Sequence, residues 1–576
     1  MPAVSVAWRL LAEHARAEPA RPAVHTAEGI TGYRALAEAV DECAKAVRAL
    51  GLAPGEVLAV ELPDGLPAVV ALLAVLHAEV PFVWLGPAYP AACREQVVRD
   101  CEPAALLTWK ADAPVLSRIG TAPGIVPADT GCVVYTSGST GTPKGIVQRR
   151  ANLDQFTRWF AVELGLGPGS RMLQWALMTY DAAYAEVLAA IYAGATLVVP
   201  STSDKADVAR IAEQVVEYRV THLLTVPSLC RALFAARTGA SLPEVTSLSL
   251  FGEVVPPDLL GEAAYALPNA SVGNFYGPTE CTLATWFRVP AGFTGDVVPI
   301  GRPIPGREVL LRPMCDDVPA GTGEILVRSR YLAHGYLHRE QETAQRFLPD
   351  PAGEPGMRIY RTGDLGRFTA DGELVFAGRL DDQVKIRGVR VQLGEVEAAL
   401  RTAPDVAEAV VRVLDADEVA PRIVAYLQPT AGQRPDVTAL RGRVSRALPA
   451  VMVPAHYVVL DELPHTVTGK VDRGALPDPA TVPPAARCGG PPSSELECEL
   501  ARIWHEAIEC PEAGVDDDFF DVGGHSLLAP RVVAAVHARL GLTVPLRSVF
   551  EHSRLGDFAA YLTTLRPQHP HPKEKA

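Results

Sequence analysis

Tyr135-Thr-Ser-Gly-Ser-Thr-Gly-Thr-Pro-Lys-Gly145 follows the apolar run Cys132–Tyr135 and is the most informative stretch of the chain. Its eleven residues hold three glycines, two serines and three threonines. Backbone N–H groups and hydroxyls at this density can wrap the oxygens of a polyphosphate, with Lys144 neutralising charge. A Walker A loop is excluded. That motif ends in Gly-Lys-Ser/Thr, whereas here Pro143 precedes Lys144 and Gly145 follows it.

Upstream, Ala35–Leu52 has the spacing of an amphipathic helix closed by Gly51, Val57–Leu62 reads as a buried strand, and Ala68–Val80 returns to helix. The alternation continues downstream through the apolar runs at 196–200, 221–226 and 246–251. This predicts an α/β fold with largely parallel sheets. After about Pro299 the runs at 308–313, 323–329, 374–379 and 383–388 predict a β-rich segment. From Leu393 a small α+β unit follows. Leu476–Ser494 is dominated by Pro, Ala and Gly and reads as a linker; beyond it lie mainly helical patterns of a size for a small bundle. The final residues read as a disordered tail.

The 576 residues suggest three or four domains, and 48% hydrophobic with 21% charged residues is ordinary for a globular protein. A net charge of −14 speaks against nucleic acid as a partner. The ten cysteines include no CxxC pair, so neither a zinc knuckle nor a redox dithiol is indicated. No targeting leader and no apolar run of membrane-spanning length is read, and the expectation is a cytoplasmic protein without a membrane partner.

Further strings accompany the glycine-rich loop: Asn274-Phe-Tyr-Gly-Pro-Thr-Glu280, Gly323-Glu324 with Gly335-Tyr336, and Tyr360-Arg-Thr-Gly-Asp-Leu365. Gly378-Arg-Leu-Asp-Asp-Gln-Val-Lys-Ile-Arg-Gly388 and Thr468-Gly-Lys-Val-Asp-Arg473 complete the series. In this order they resemble the adenylate-forming enzyme superfamily, and most closely the adenylation domains of nonribosomal peptide synthetases. The resemblance implies a large N-terminal subdomain over 1–380, a small C-terminal subdomain over 381–476, a linker over 477–494 and a four-helix carrier domain over 495–566, with the tail over 567–576.

The resemblance also implies roles. ATP would be held by Thr136, Ser137, Gly138, Ser139, Thr140, Gly141, Lys144, Tyr276, Thr279, Asp364 and Arg379. In this reading Tyr276 stacks on adenine and Asp364 accepts the ribose hydroxyls. Glu280 would bind Mg²⁺. Lys470 would be the catalytic cation, stabilising charge at the α-phosphate, and Asp381 the hinge. Tyr180-Asp-Ala-Ala183 resembles the segment whose aspartate pairs with a substrate α-ammonium group, which favours an α-amino acid. The amino-acid pocket would comprise Asp181, Ala182, Ala185, Thr225, Ser249, Phe251, Phe275, Leu283 and Ala284, closed by Lys470. Apart from Asp181 and Lys470 nothing there is charged, so a neutral side chain is expected.

Asp516-Asp-Asp-Phe-Phe-Asp-Val-Gly-Gly-His-Ser526-Leu-Leu resembles the 4′-phosphopantetheine attachment site of peptidyl carrier proteins, with Ser526 expected at a helix N-cap. GHSL lacks the second glycine of a serine-hydrolase GxSxG turn. Together these imply ATP-dependent activation of an amino acid and its loading onto the chain's own carrier, in natural-product biosynthesis. Implied partners are a phosphopantetheinyl transferase, an MbtH-like helper protein and, with no condensation or thioesterase motif read, a separate condensing or tailoring enzyme. The alternatives are an acyl-CoA ligase and a non-catalytic nucleotide-binding homologue.

Overall fold

A computed structural model of the chain describes residues 6–86, 89–111, 113–120, 124–136, 143–237, 240–314, 321–381, 383–386, 388–414, 422–431, 433, 435–464, 471, 473, 475–478, 490–508, 513–520, 522, 524, 528–542, 544–545 and 548–565. They fall into two compact units. One holds the described residues among 1–89, 94–138 and 142–391; the other holds those among 90–93 and 392–576.

The first unit is built on a nine-stranded and a seven-stranded sheet. In the former, the strands Pro22–Thr26, Thr196–Val198, Arg171–Leu173, His222–Thr225, Ser247–Phe251 and Ser271–Tyr276 run parallel. In the latter, Ala105–Lys110, Leu58–Val60, Phe82–Trp84 and Thr130–Thr136 are parallel, and Lys144–Arg149 folds back antiparallel onto the last. Parallel strands need both faces covered, which is why they read as continuous apolar runs rather than alternating ones.

The helices Leu66–His77 and Asp181–Ala193 supply that cover. The first is buried continuously from Ala68 to Leu76 and the second from Ala183 to Ile191. A single core cluster joins them to Val24 and Leu197 of one sheet and Leu58, Phe82 and Cys132 of the other. An antiparallel five-stranded sheet follows, formed by Glu308–Pro313, Gly323–Ser329, Arg358–Phe368, Phe347–Pro349 and Leu374–Arg379. The hairpin Gln383–Ile386 with Val389–Gln392 lies at the unit's end.

The second unit begins with the helix Leu393–Arg401 and a sheet of Val406–Leu414, Arg422–Pro429 and His456–Val459. The helix Val437–Ala447 is capped by Asp436, whose side chain accepts from the amides of Thr438 and Ala439. Among the described residues four further helices follow: Glu495–Ile508, Ala529–Leu540, Ser548–Glu551 and Leu555–Leu565. Their centre is aromatic, with Trp504 edge-on to Phe519 at 5.4 Å and Phe520 against Phe550 at 5.1 Å. The break between the units, after Val391, lies downstream of the boundary expected at residue 380, because the hairpin after Asp381 packs with the first unit. Among the described residues no helix is long and apolar enough to cross a membrane.

Candidate active site

Thr136 and Lys144 pair directly across the antiparallel strands that flank the glycine-rich loop. Ser137, Gly138, Ser139, Thr140 and Gly141 lie outside the described residues. Lys144 itself is buried; its Nζ is 2.9 Å from Glu342 Oε1 and 4.1 Å from the centre of the Tyr336 ring. Burial, then the nearby Arg390, holds its pKa below the ordinary lysine value.

Asp181 opens the buried helix Asp181–Ala193, where the exposed amides of the first turn favour a carboxylate. Burial raises its carboxyl to about 6, against hydrogen bonds from the Thr279 side chain and the Ala182 amide. It faces a cavity of about 120 Å³ whose apolar wall includes Ala182, Ala185, Phe251, Phe275 and Leu283. Phe275 is fixed there by stacking on Trp286 at 5.9 Å and by the edge of Phe160 at 5.5 Å.

Three expected pocket residues do not line the cavity. Strand pairing sets Leu224 beside Ser249 and Thr225 beside Leu250, so alternation turns Leu224 rather than Thr225 toward the space. Ser249 is buried, and so is Thr225; among the described residues neither hydroxyl has a hydrogen-bond partner. Ala284 is buried in a neighbouring cluster. Phe156 and Phe160 do line the cavity. They are four residues apart on the helix Arg150–Glu163, a spacing the sequence already contained.

Asp364 lies on the same cavity. The Tyr276 hydroxyl donates to its Oδ2 at 2.6 Å, and Arg379 pairs with Oδ1. Tyr276 belongs to a core cluster with Ile146 and Ile325 and is not part of the lining, which differs from the expected adenine platform. Asp364 retains lone pairs for a diol, so its place on the wall fits a ribose. Arg379 also binds Asp381 at 2.8 Å, which ties the expected hinge residue to this wall.

Glu280 is fully buried and accepts from Arg390 at 2.9 Å and from the Tyr336 hydroxyl at 2.8 Å. Burial opposes its charge, but Arg390 and Lys144 outweigh it and hold the carboxyl well below the usual range. Two cations beside a single carboxylate do not fit a divalent ion in this arrangement. Among the described residues no cluster of three metal-ligating side chains exists.

The hairpin Gln383–Ile386 with Val389–Gln392 brings two cations that no sequence signal marked as site residues: Lys385, inside the Gly378–Gly388 string, and Arg390, just beyond it. Lys385 and Arg390 both face the cavity. Burial lowers the Lys385 pKa, partly offset by Asp364. The turn is pinned by the Gly388 amide, which donates to Glu253 Oε1 at 2.9 Å. Gly388 has φ +72°, and a Cβ there would sit 2.4 Å from Val226 Cγ1, so only glycine fits.

In the helical region, a Cβ on Gly524 would lie 2.3 Å from the Phe519 carbonyl oxygen, which explains a glycine just before Ser526. Ser526, with its expected N-cap position, lies outside the described residues; the described helix after it spans Ala529–Leu540. Lys470 also lies outside the described residues.

Three family models match the chain: AMP-binding enzyme over residues 11–123 and 117–337, its C-terminal domain over 395–470, and a phosphopantetheine attachment site over 498–562. These imply ATP with Mg²⁺ and 4′-phosphopantetheine as cofactors. Phosphinothricin tripeptide synthetase PhsB of Streptomyces viridochromogenes is 37% identical over 96% of this chain and 49% of its own length. Novobiocin biosynthesis protein H of Streptomyces niveus is 34% identical over 95% of this chain and 94% of its own. The chain thus spans about half of the former, and 7% of the nonribosomal peptide synthetase CymA of Salinispora arenicola. Among solved structures, holo-PA1221, an NRPS protein containing adenylation and PCP domains, superposes with a TM-score of 0.74 at 25% identity. That match covers 97% of this chain and 96% of the other. The chain belongs to the AMP-binding enzyme family, as an adenylation domain joined to a peptidyl carrier domain.

Proposed function

We propose that the chain activates a neutral α-amino acid with ATP and loads it onto its own carrier. The observation that carries this reading is Asp181, a buried carboxylate on an otherwise apolar stretch of cavity wall that shares its space with Asp364. A carboxylate so placed calls for a cationic partner, which an α-ammonium group supplies. Phe156, Phe160, Phe251 and Phe275 around it favour an uncharged side chain.

The substrate carboxylate attacks the α-phosphorus of ATP, forming the acyl phosphate bond as the bond to pyrophosphate breaks. Lys470 supplies positive charge to this step. Rotation about Asp381 then exchanges Lys470 for the hairpin of Lys385 and Arg390. The pantetheine thiol on Ser526 loses its proton and attacks the acyl carbon; AMP leaves and a thioester forms. A phosphopantetheinyl transferase supplies the arm. A separate condensing or tailoring enzyme consumes the thioester, an MbtH-like protein is a candidate helper, and the cytoplasm is the proposed location.

Exchange of labelled pyrophosphate into ATP, screened across amino acids, tests the reading. Exchange dependent on one or a few neutral amino acids is expected. Exchange with none, or only with aryl or fatty acids, would overturn it in favour of an acyl ligase or a non-catalytic homologue.

A further inference from the structure

Arg441, on the helix Val437–Ala447 of the small α+β part, is fully buried, yet its main partners, Asp518 and Ser553, lie in segments between the carrier helices. Its Nη1 donates to Asp518 Oδ2 and, at 3.1 Å, to Ser553 Oγ, which itself donates to the same carboxylate oxygen. The guanidinium lies 5.0 Å from the ring of Tyr457 on its own side and 4.6 Å from that of Phe520 on the carrier side. The next residue, Gly442, is also buried; a Cβ there would meet the backbone of Glu551 at 3.9 Å. The helices Val437–Ala447 and Ser548–Glu551 therefore touch through a position with room for little more than a methyl group.

This ion pair differs from one inside a single domain. If the two parts separated, Arg441 would regain water, and Asp518 would keep the Phe520 amide at 3.0 Å and the Ser553 hydroxyl. Both separated states are satisfied, while a docked state lacking one partner would bury a lone charge, which is strongly unfavourable. The contact therefore holds when complete and releases cleanly when broken.

We propose that Arg441 is a docking residue that latches the carrier domain onto the small C-terminal subdomain, so that the two travel as one body. Asp518 stands eight residues before Ser526, so the latch grips the segment leading to the attachment site. The use of the latch, carrying the arm with the rotating subdomain, rests on the loading reaction proposed above; the latch itself does not.

Backbone amide relaxation in the full chain tests it, with Arg441→Met removing the charge and Gly442→Trp wedging the helices apart while sparing the ion pair's residues. In the wild type the carrier amides are expected to share the correlation time of the small subdomain's amides, those of the helix Val437–Ala447 among them. Both variants are expected to shorten the carrier's correlation time at least about twofold, with amide protection over 495–508 retained. Independent tumbling already in the wild type would overturn the latch, as would unchanged tumbling in both variants. Loss of protection over 495–508 would also overturn it, by making Arg441 part of the carrier's fold. Pyrophosphate exchange, measured in parallel, is expected to stay within about twofold of wild type, since neither residue touches the cavity. Its absence from the wild type would sink the functional reading and leave the tumbling result standing.

Discussion

Arg390 Nη1 lies 2.9 Å from Glu280 Oε1, so the carboxylate expected to bind Mg²⁺ answers an arginine from the hairpin after Asp381. Glu280 raises the Arg390 pKa despite burial, and Arg390 in turn helps hold Glu280 ionised. On the proposal that Glu280 takes the divalent ion once Arg390 withdraws, the ion and the arginine compete for one carboxylate. Arg390→Met is expected to lower the half-saturating Mg²⁺ concentration for pyrophosphate exchange several-fold, and Glu280→Gln to raise it. A Mg²⁺ titration with no shift in the Arg390 variant would contradict this competition.

Asp181 must be ionised to pair with an ammonium group, and burial raises its pKa to about 6 in the free protein. The protonated form prevails below that value, so kcat/KM for the amino acid should fall as pH drops through about 6. The raised pKa also means that ionising Asp181 costs stability as pH rises through about 6, in the absence of substrate. Saturating amino acid offsets that cost, so its stabilising effect on Tm should grow from pH 5 to pH 7. Asp181→Asn should abolish both dependences; a pH profile of kcat/KM identical to wild type would contradict the pairing.

Lys470 is assigned to the first step only. Lys470→Ala is expected to abolish pyrophosphate exchange and to retain transfer from a supplied aminoacyl adenylate to the carrier. Equal loss of both steps would show that the division of labour is wrong.

Lys205 is buried in the first unit, 2.9 Å from Asp64 and hydrogen-bonded to the Gln174 side chain and, at 3.0 Å, the Ala176 carbonyl. Glu186 lies close by, its carboxyl pushed up by burial to about 8 even with Lys205 pulling it down. Removing the cation leaves Asp64 uncompensated, so Lys205→Met should destabilise the first unit by about 3–5 kcal/mol. Chemical denaturation measures this directly. A loss below about 1 kcal/mol would mean that water reaches the site.

The parts of this architecture that repeat a local rule were legible in the sequence. Leu66–His77 is apolar all round because it lies between two sheets, and the apolar runs at 196–198, 222–225 and 247–251 are strands covered on both faces. Leu224 and Thr225 show where such reading stops. Which of two neighbours faces the cavity depends on pairing with the strand Ser247–Phe251, and no local pattern fixes that register. Arg390 was hidden for a similar reason, since its partner Glu280 is 110 residues away in the chain. Arg441 and Asp518 look like ordinary surface charges in sequence, and only the packing of the helix Val437–Ala447 against the carrier segment that holds Asp518 buries them together.

That one polypeptide makes the adenylate and receives the acyl group at Ser526 is the proposal on which the rest depends. Its most direct test is intact mass spectrometry of the pantetheinylated chain incubated with ATP, Mg²⁺ and the amino acid found by exchange. An added aminoacyl mass is expected, released by mild thiol treatment and mapped to the peptide containing Ser526, with no addition in Ser526→Ala, which should still catalyse exchange. Strong exchange without any acyl mass on the pantetheinylated wild-type chain would contradict it.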